Sequence, residues 1–243
     1  MVQFHYRVRR WIHVAAGTIL LLITPFQAQA LVIDDFEVGD FALSDNNPSG
    51  NSGLIQTGLP SENVLLGKRM PTVDAMIADP SGPSTLILTT SPSDDGVVFT
   101  TGNTDTFAYL DYGGCAGGCV ELFDVTDGGQ SDRFQIQIIE VTGAFAMDVM
   151  LFGEGGAGPE YIPLQISEPG TFILSFDLTS ADLTNLQGIG FWVVSSSAGG
   201  GVLAISDIRS IPEPTTASLV GLGLVALALG DRRRRNENKK RLT

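Results

Sequence analysis

Between Leu31 and Ile211, apolar side chains recur at every second position in several segments. From Arg133 to Ile138, Phe134, Ile136 and Ile138 fall on one side, and Arg133, Gln135 and Gln137 on the other. Thr171–Leu178 repeats the pattern through Phe172, Leu174, Phe176 and Leu178, and Ile189, Phe191 and Val193 do so again. A period of two puts alternate side chains on opposite faces of an extended chain, so these segments predict half-buried strands. Shorter apolar or Thr-rich runs predict further strands at Val64–Leu66, Leu86–Thr90, Val97–Thr101, Phe107–Leu110, Phe145–Phe152 and Val202–Ile208. A helical signal is confined to one predicted turn at Ser180–Leu186, with Ser180 as its cap.

Turn chemistry separates the runs. Asn46–Gly50, Asp79–Pro83, Ser93–Gly96, Asp127–Gly129 and Gly153–Pro159 concentrate Gly, Pro, Asn, Asp and Ser, which favour turns by fixing or freeing φ or by bonding their own backbone. Many short strands between such turns predict an all-β fold, an antiparallel β-sandwich of jelly-roll type over residues 31–211. A stretch of that length can bury one core without disulfide support.

The two ends follow different patterns. Residues 1–30 hold Arg7, Arg9 and Arg10, then a largely apolar run from Ile12 to Ile23, then Pro25 and Ala28-Gln29-Ala30 ahead of Leu31. A basic region, an apolar run and a small-x-small site predict a signal peptide handled by the Sec translocon and cut by signal peptidase before Leu31. The alternative is an uncleaved anchor helix, although the run is shorter than the ~20 residues a span needs. At the other end, Pro212-Glu213-Pro214 precedes an uncharged stretch, Thr215 to Gly230, and then Asp231 and Arg232-Arg233-Arg234-Arg235. As a helix, 215–230 reaches about 24 Å against a hydrocarbon core of about 30 Å, enough for a short transmembrane segment. The arginines hold the tail on the cytoplasmic side and place the preceding domain outside.

Pro-Glu-Pro, a short apolar helix and an Arg cluster together resemble the PEP-CTERM sorting signal, here covering residues 212–243. The resemblance implies a Gram-negative protein recognised at Pro212, Glu213 and Pro214 by an exosortase, a membrane-embedded protease that removes the tail. It also implies an exopolysaccharide setting. This chain continues past the Arg cluster through Asn236 to Thr243, with Lys239, Lys240 and Arg241. The two prolines keep the backbone around Glu213 extended, which suits a protease target.

The borders of the middle, Ile33-Asp34-Asp35-Phe36-Glu37 and Ile205-Ser206-Asp207-Ile208-Arg209, resemble those of galactose-binding-like jelly rolls, many of them carbohydrate-binding modules. That resemblance implies neighbouring first and last strands and a structural Ca²⁺ beside them. Its ligands would be Asp34 or Asp35 together with Asp207. Independently, Asp34, Asp35, Glu37, Asp40 and Asp45 form one acidic cluster and Asp124, Asp127 and Asp132 another, the latter without EF-hand spacing. The alternative is a solvated acidic surface that serves solubility.

Charge narrows the function. The chain carries 27 acidic and 14 basic residues, but residues 31–211 keep only Lys68, Arg69, Arg133 and Arg209 against 24 carboxylates. That segment stands at −20, which excludes nucleic acid as a partner because phosphate binding needs clustered Lys and Arg. Both histidines, His5 and His13, precede Leu31, so imidazole catalysis and His-ligated metals have no residue to use once the signal is removed. Cys115 and Cys119 enclose Ala-Gly-Gly and, outside the cytoplasm, are expected to form a small disulfide. Without further Cys or His they cannot complete a zinc site.

Trp192 alternates with Phe191 on one predicted strand, so it faces a sheet surface or groove if Phe191 is core. Aromatic faces stack on sugar rings, which makes Trp192 the first candidate for glycan contact, followed by Tyr109 and Tyr112; the alternative for Trp192 is a second buried layer. The expected protein is exported, held for a time at the inner membrane with its domain on the periplasmic side, and then placed on the cell surface or secreted. Its domain is a non-catalytic structural or glycan-binding component of the extracellular matrix. The alternatives are a secreted carboxylate-dependent glycan hydrolase or lyase, which needs two acids ~5–9.5 Å apart, and a permanently anchored periplasmic protein.

Overall fold

The computed structural model describes residues 30–76, 82–89, 96–102, 106–113, 122–153, 159–195 and 200–212. Two antiparallel sheets face each other. The first contains β1 (Leu31–Asp34), β2 (Phe41–Asp45), β6 (Ser84–Thr89), β7 (Gly96–Thr101), β9 (Ser131–Thr142), β12 (Gly170–Ser175) and β14 (Gly201–Pro212). The second contains β3 (Ser52–Gly53), β4 (Gln56–Thr57), β5 (Lys68–Ala75), β8 (Thr106–Tyr112), β10 (Phe145–Gly153), β11 (Glu160–Ile166) and β13 (Leu186–Ser195). The chain passes repeatedly from one sheet to the other, giving the jelly-roll-like β-sandwich predicted from the alternation.

In the first sheet the order is β12-β9-β14-β7-β6-β2, with β1 also on β14; in the second it is β11-β10-β13-β8-β5-β3, with β4 also on β5. The first and last strands are neighbours, Leu31 lying opposite Ser210. β14 is the most heavily paired strand. Val202–Pro212 lies along β9, Gly201–Ile205 along β7, and Ile208–Ser210 along β1.

Inward positions of both sheets form one core. Phe134, Ile136 and Ile138 of β9 face Ile189, Phe191 and Val193 of β13, and all six are buried. Edge-to-face rings cross the interface, with Phe134 and Phe191 centroids 6.4 Å apart and those of Phe99 and Phe145 6.0 Å apart. Polar ties also join the sheets: Asp45 Oδ2 accepts from the Ala75 amide at 2.8 Å, and the Ser84 and Thr106 hydroxyls meet at 3.0 Å.

Three local expectations change. Val64–Leu66 is not a strand; Val64 makes a single bridge to Asp34, and Leu65–Gly67 forms a 3-10 turn. The strand starts immediately afterwards as β5, whose Pro71 and charged residues hide its alternation. The helical turn falls earlier than predicted, at Phe176–Leu178, where the Ser175 side chain accepts from the Asp177 amide. The Leu178 side chain is consequently out of the core, 61 % exposed.

Candidate functional site

The outer face of the second sheet collects the features that alternation leaves outside the core. Across its middle runs a row of directly opposed residues: Pro163, Asp148, Trp192, Tyr109, Thr72 and Gly53. Beside it lies a second row, Tyr161, Met150, Gly190, Asp111 and Met70. Phe191 is buried in the core, so its neighbour Trp192 is turned outward, half-buried. Its ring lies 5.1 Å from that of Phe107 at a tilt of 50°.

Trp192, Tyr109 and Thr72 of the first row and Met150 and Met70 of the second border an open groove of about 410 Å³. Trp192, Phe107 and Tyr109 supply its aromatic surface, Met70 and Met150 its aliphatic surface, and Asn51, Thr72 and Asp74 its polar groups. Gly190 lies close beneath two groove side chains. A Cβ there would lie 3.1 Å from Met150 Cε and 3.2 Å from the Tyr109 hydroxyl oxygen, so a larger residue pushes both side chains off β13. Burial and the nearby Asp111 and Tyr161 hold the Tyr109 phenol above its ordinary range, so it stays an O–H group. Asp111 is 7 % exposed and its Oδ1 has no hydrogen-bond partner. Burial pushes this carboxyl up to about 6 against the pull of the Tyr112 amide.

Tyr112 is not on this face. It lies in the core, its hydroxyl donating to Asp34 Oδ2 at 2.8 Å, because its position in β8 has the inward parity. Phe107 shares the outward parity of Tyr109, but an isolated Phe in a short strand carries no sign of what it will stack against. The Gly188-x-Gly190 spacing was the available signal: two outward glycines in one strand leave a low floor for neighbouring rings.

The residues expected to hold Ca²⁺ are each occupied by protein donors. Asp34 Oδ2 is 2.6 Å from Arg69 Nη1, and its Oδ1 accepts from the Phe36 amide at 2.8 Å. Burial pushes the Asp34 carboxyl up to about 6 in spite of Arg69, Tyr112 and that amide. Asp35 accepts from Asn63 Nδ2 at 2.7 Å, and Asp207 pairs with Arg209 Nε at 2.7 Å. Among the described residues, no group of three or more His, Cys, Asp or Glu is placed to hold a metal ion. Asp124, of the second acidic cluster, closes a turn by accepting from the Thr126 and Gly128 amides.

Arg69 is the charged residue that alternation alone mislocates. It occupies an inward position of β5 and its side chain is fully buried. All its donor groups are used: besides Asp34, it bonds Gln56 Oε1 and the Val38 and Gly39 carbonyls, between the rings of Phe36 and Phe41.

On the first sheet, Ser210 donates its hydroxyl to the Val125 carbonyl, and Pro212, opposite Ser131, is the last residue of β14. Residues 210–234 match the model of the PEP-CTERM protein-sorting motif. The chain carries a PEP-CTERM sorting motif. This signal thus overlaps the end of the core strand and marks the chain as an exported protein sorted through the membrane. Ala28, Cys115, Cys119, Glu213, Pro214, the 215–230 segment and Arg232–Arg235 lie outside the described residues. Among the described residues, no helix is long and apolar enough to cross a membrane.

No curated protein matches the sequence. Among solved structures, the chain is similar to the family 11 carbohydrate-binding module of a cellulosomal cellulase of Clostridium thermocellum, at 16% identity over 76% of this chain and 95% of that one, with a TM-score of 0.37. It is also similar to a module specific for non-crystalline cellulose, at 11% identity over 52% and 81%, TM-score 0.37. A third, TmCBM61 in complex with β-1,4-galactotriose, is 11% identical over 76% of this chain and 100% of that one, TM-score 0.32.

Proposed function

We propose that this protein is a cell-surface or extracellular-matrix component whose sandwich binds glycan without catalysis, and that an exosortase removes its tail after recognising Pro212, Glu213 and Pro214. The observation that carries the binding role is the groove on the outer sheet face, where Trp192, Phe107 and Tyr109 offer ring surfaces beside Thr72, Asn51 and Asp74. Sugar rings present apolar C–H faces and a rim of hydroxyls, which suits aromatic platforms with polar groups at their edge. Such a groove on regular strands is rigid, so little ordering opposes binding. The sorting motif supports an exported location, and the resemblance it carries implies an exopolysaccharide setting.

The test is direct. The exported protein is passed over immobilised soluble polysaccharides, and Trp192→Ala is compared with the native chain. Binding of at least one polysaccharide that falls about tenfold or more in the variant, with an unchanged melting temperature, is the expected result. Retention equal in both proteins removes the face from the proposal.

A further inference from the structure

The charges on this face all but share one sign. Along β10, β13, β8 and β5 the outward acids are Asp148, Asp111 and Asp74, and the outward base is Lys68 at the start of β5. Asp148 lies directly across from Trp192, and Asp74 directly across from Phe107, so an acid stands on either side of the paired rings. Asp111 sits one row away, across from Gly190 and Met70, almost fully buried with its Oδ1 unpartnered. That oxygen is on the outer side of the sheet, 3.7 Å from where a Gly188 Cβ would be. A carboxylate held in low dielectric projects its field more strongly than one in water, and walls of one sign focus that field into a groove. Hydrogen-bond donors are therefore favoured along the rings, and anionic groups are repelled.

We infer that the groove selects by charge, taking a glycan whose polar groups are hydroxyl or ammonium donors and rejecting chains of uronate or sulfated sugars. The inference rests on the glycan-binding reading and deepens it. Asp74 and Asp148 accept from the donors of a sugar ring stacked on Trp192, and Asp111 adds negative potential beneath it.

Three immobilised probes separate the possibilities: mixed-linkage β-glucan for hydroxyl donors alone, glycol chitosan for ammonium groups, and polygalacturonate for carboxylates. The exported protein is expected to bind glucan or glycol chitosan with an apparent Kd at least about tenfold below that for polygalacturonate. Binding that weakens steeply with salt identifies the ammonium probe as the better mimic, whereas salt-insensitive binding identifies the neutral one; either supports the inference. The double variant Asp74→Lys/Asp148→Lys should gain affinity for polygalacturonate, and no gain overturns the role of these acids. Polygalacturonate bound as tightly as the other two overturns charge selection. If Trp192→Ala also abolishes that binding, the glycan-binding reading stands while the inference falls. No retention on any probe, under conditions where the protein is folded, overturns both.

Discussion

Arg69 shows how far one side chain can organise this fold. Its guanidinium ties β5 to Asp34 of β1 and to the Val38–Gly39 backbone, so it anchors the first strand and the turn after it. Gly39 adopts φ of +78°, and a Cβ there would meet Arg69 Nη2 at 2.9 Å, so the turn has no room for another residue. Removing the guanidinium leaves the Asp34 carboxylate buried without its counter-charge. Arg69→Ala is expected to lose about 3–5 kcal/mol in chemical denaturation. Arg69→Met combined with Asp34→Asn should lose much less than the sum of the single changes. Titration adds a second residue-scale expectation. Asp34 and Asp111 have folded-state values of about 6 against 3.8, so they stabilise the fold when protonated and that contribution is lost as pH rises through 6. Glu160 runs the other way. Hydrogen bonds from Ser180 and Thr179 hold it at about 2, so its contribution is present above the ordinary carboxylate value and lost as pH falls through 2. The two aspartates are therefore expected to lower the melting temperature as pH rises from about 4 to 6, with Asp111→Asn flattening that decline. A slope over that range unchanged in Asp111→Asn would contradict the sign for that carboxyl.

At the scale of the element, strands that alternate cleanly were legible from their residues alone. β9, β12 and β13 lie where Phe134, Leu174 and Phe191 put them, because period two leaves one choice of inward face. β5 was not legible: Arg69 sits where a hydrophobe is expected, and Pro71 belongs to a residue type that normally argues against a central strand. What rescues Arg69 is its partners on other elements, which no local pattern contains. The groove was half legible. The parity of Trp192 against Phe191 placed it outward, but its meeting with Phe107 and the lowered floor at Gly188 and Gly190 depend on the register between β8 and β13. Gly190 gives a test of that floor. Gly190→Val introduces a residue that suits strands yet displaces Tyr109 and Met150, so it is expected to weaken polysaccharide retention about tenfold while the chain still melts cooperatively. β14 gives another. A chain ending after Ile211 should keep its melting temperature, whereas one ending after Ile205 forfeits the pairing of Ile208–Ser210 with β1 and is expected not to fold cooperatively.

For the whole molecule, the charge of −13 is a sum over segments of opposite sign, with basic ends around a sandwich at −20. Removal of both ends would leave a product with no histidine and four basic residues, of which Arg69, Arg133 and Arg209 are already paired with aspartates. Intact mass of the exported protein is expected to show a start at Leu31 and a shortened C-terminus. Glu213→Gln is expected to leave the tail in place, and unchanged processing would count against recognition there. The same end of the chain has a mechanical side. Pro212 closes β14 and stands within the sorting motif, so no spacer separates them. Traction applied to the tail therefore reaches that strand first. Ladder bonds in antiparallel pairs lie across the strand direction, so the component of any force along β14 loads them together in shear. The handle is joined to a strand held by three neighbours, β9, β7 and β1, whose ladder bonds share the load.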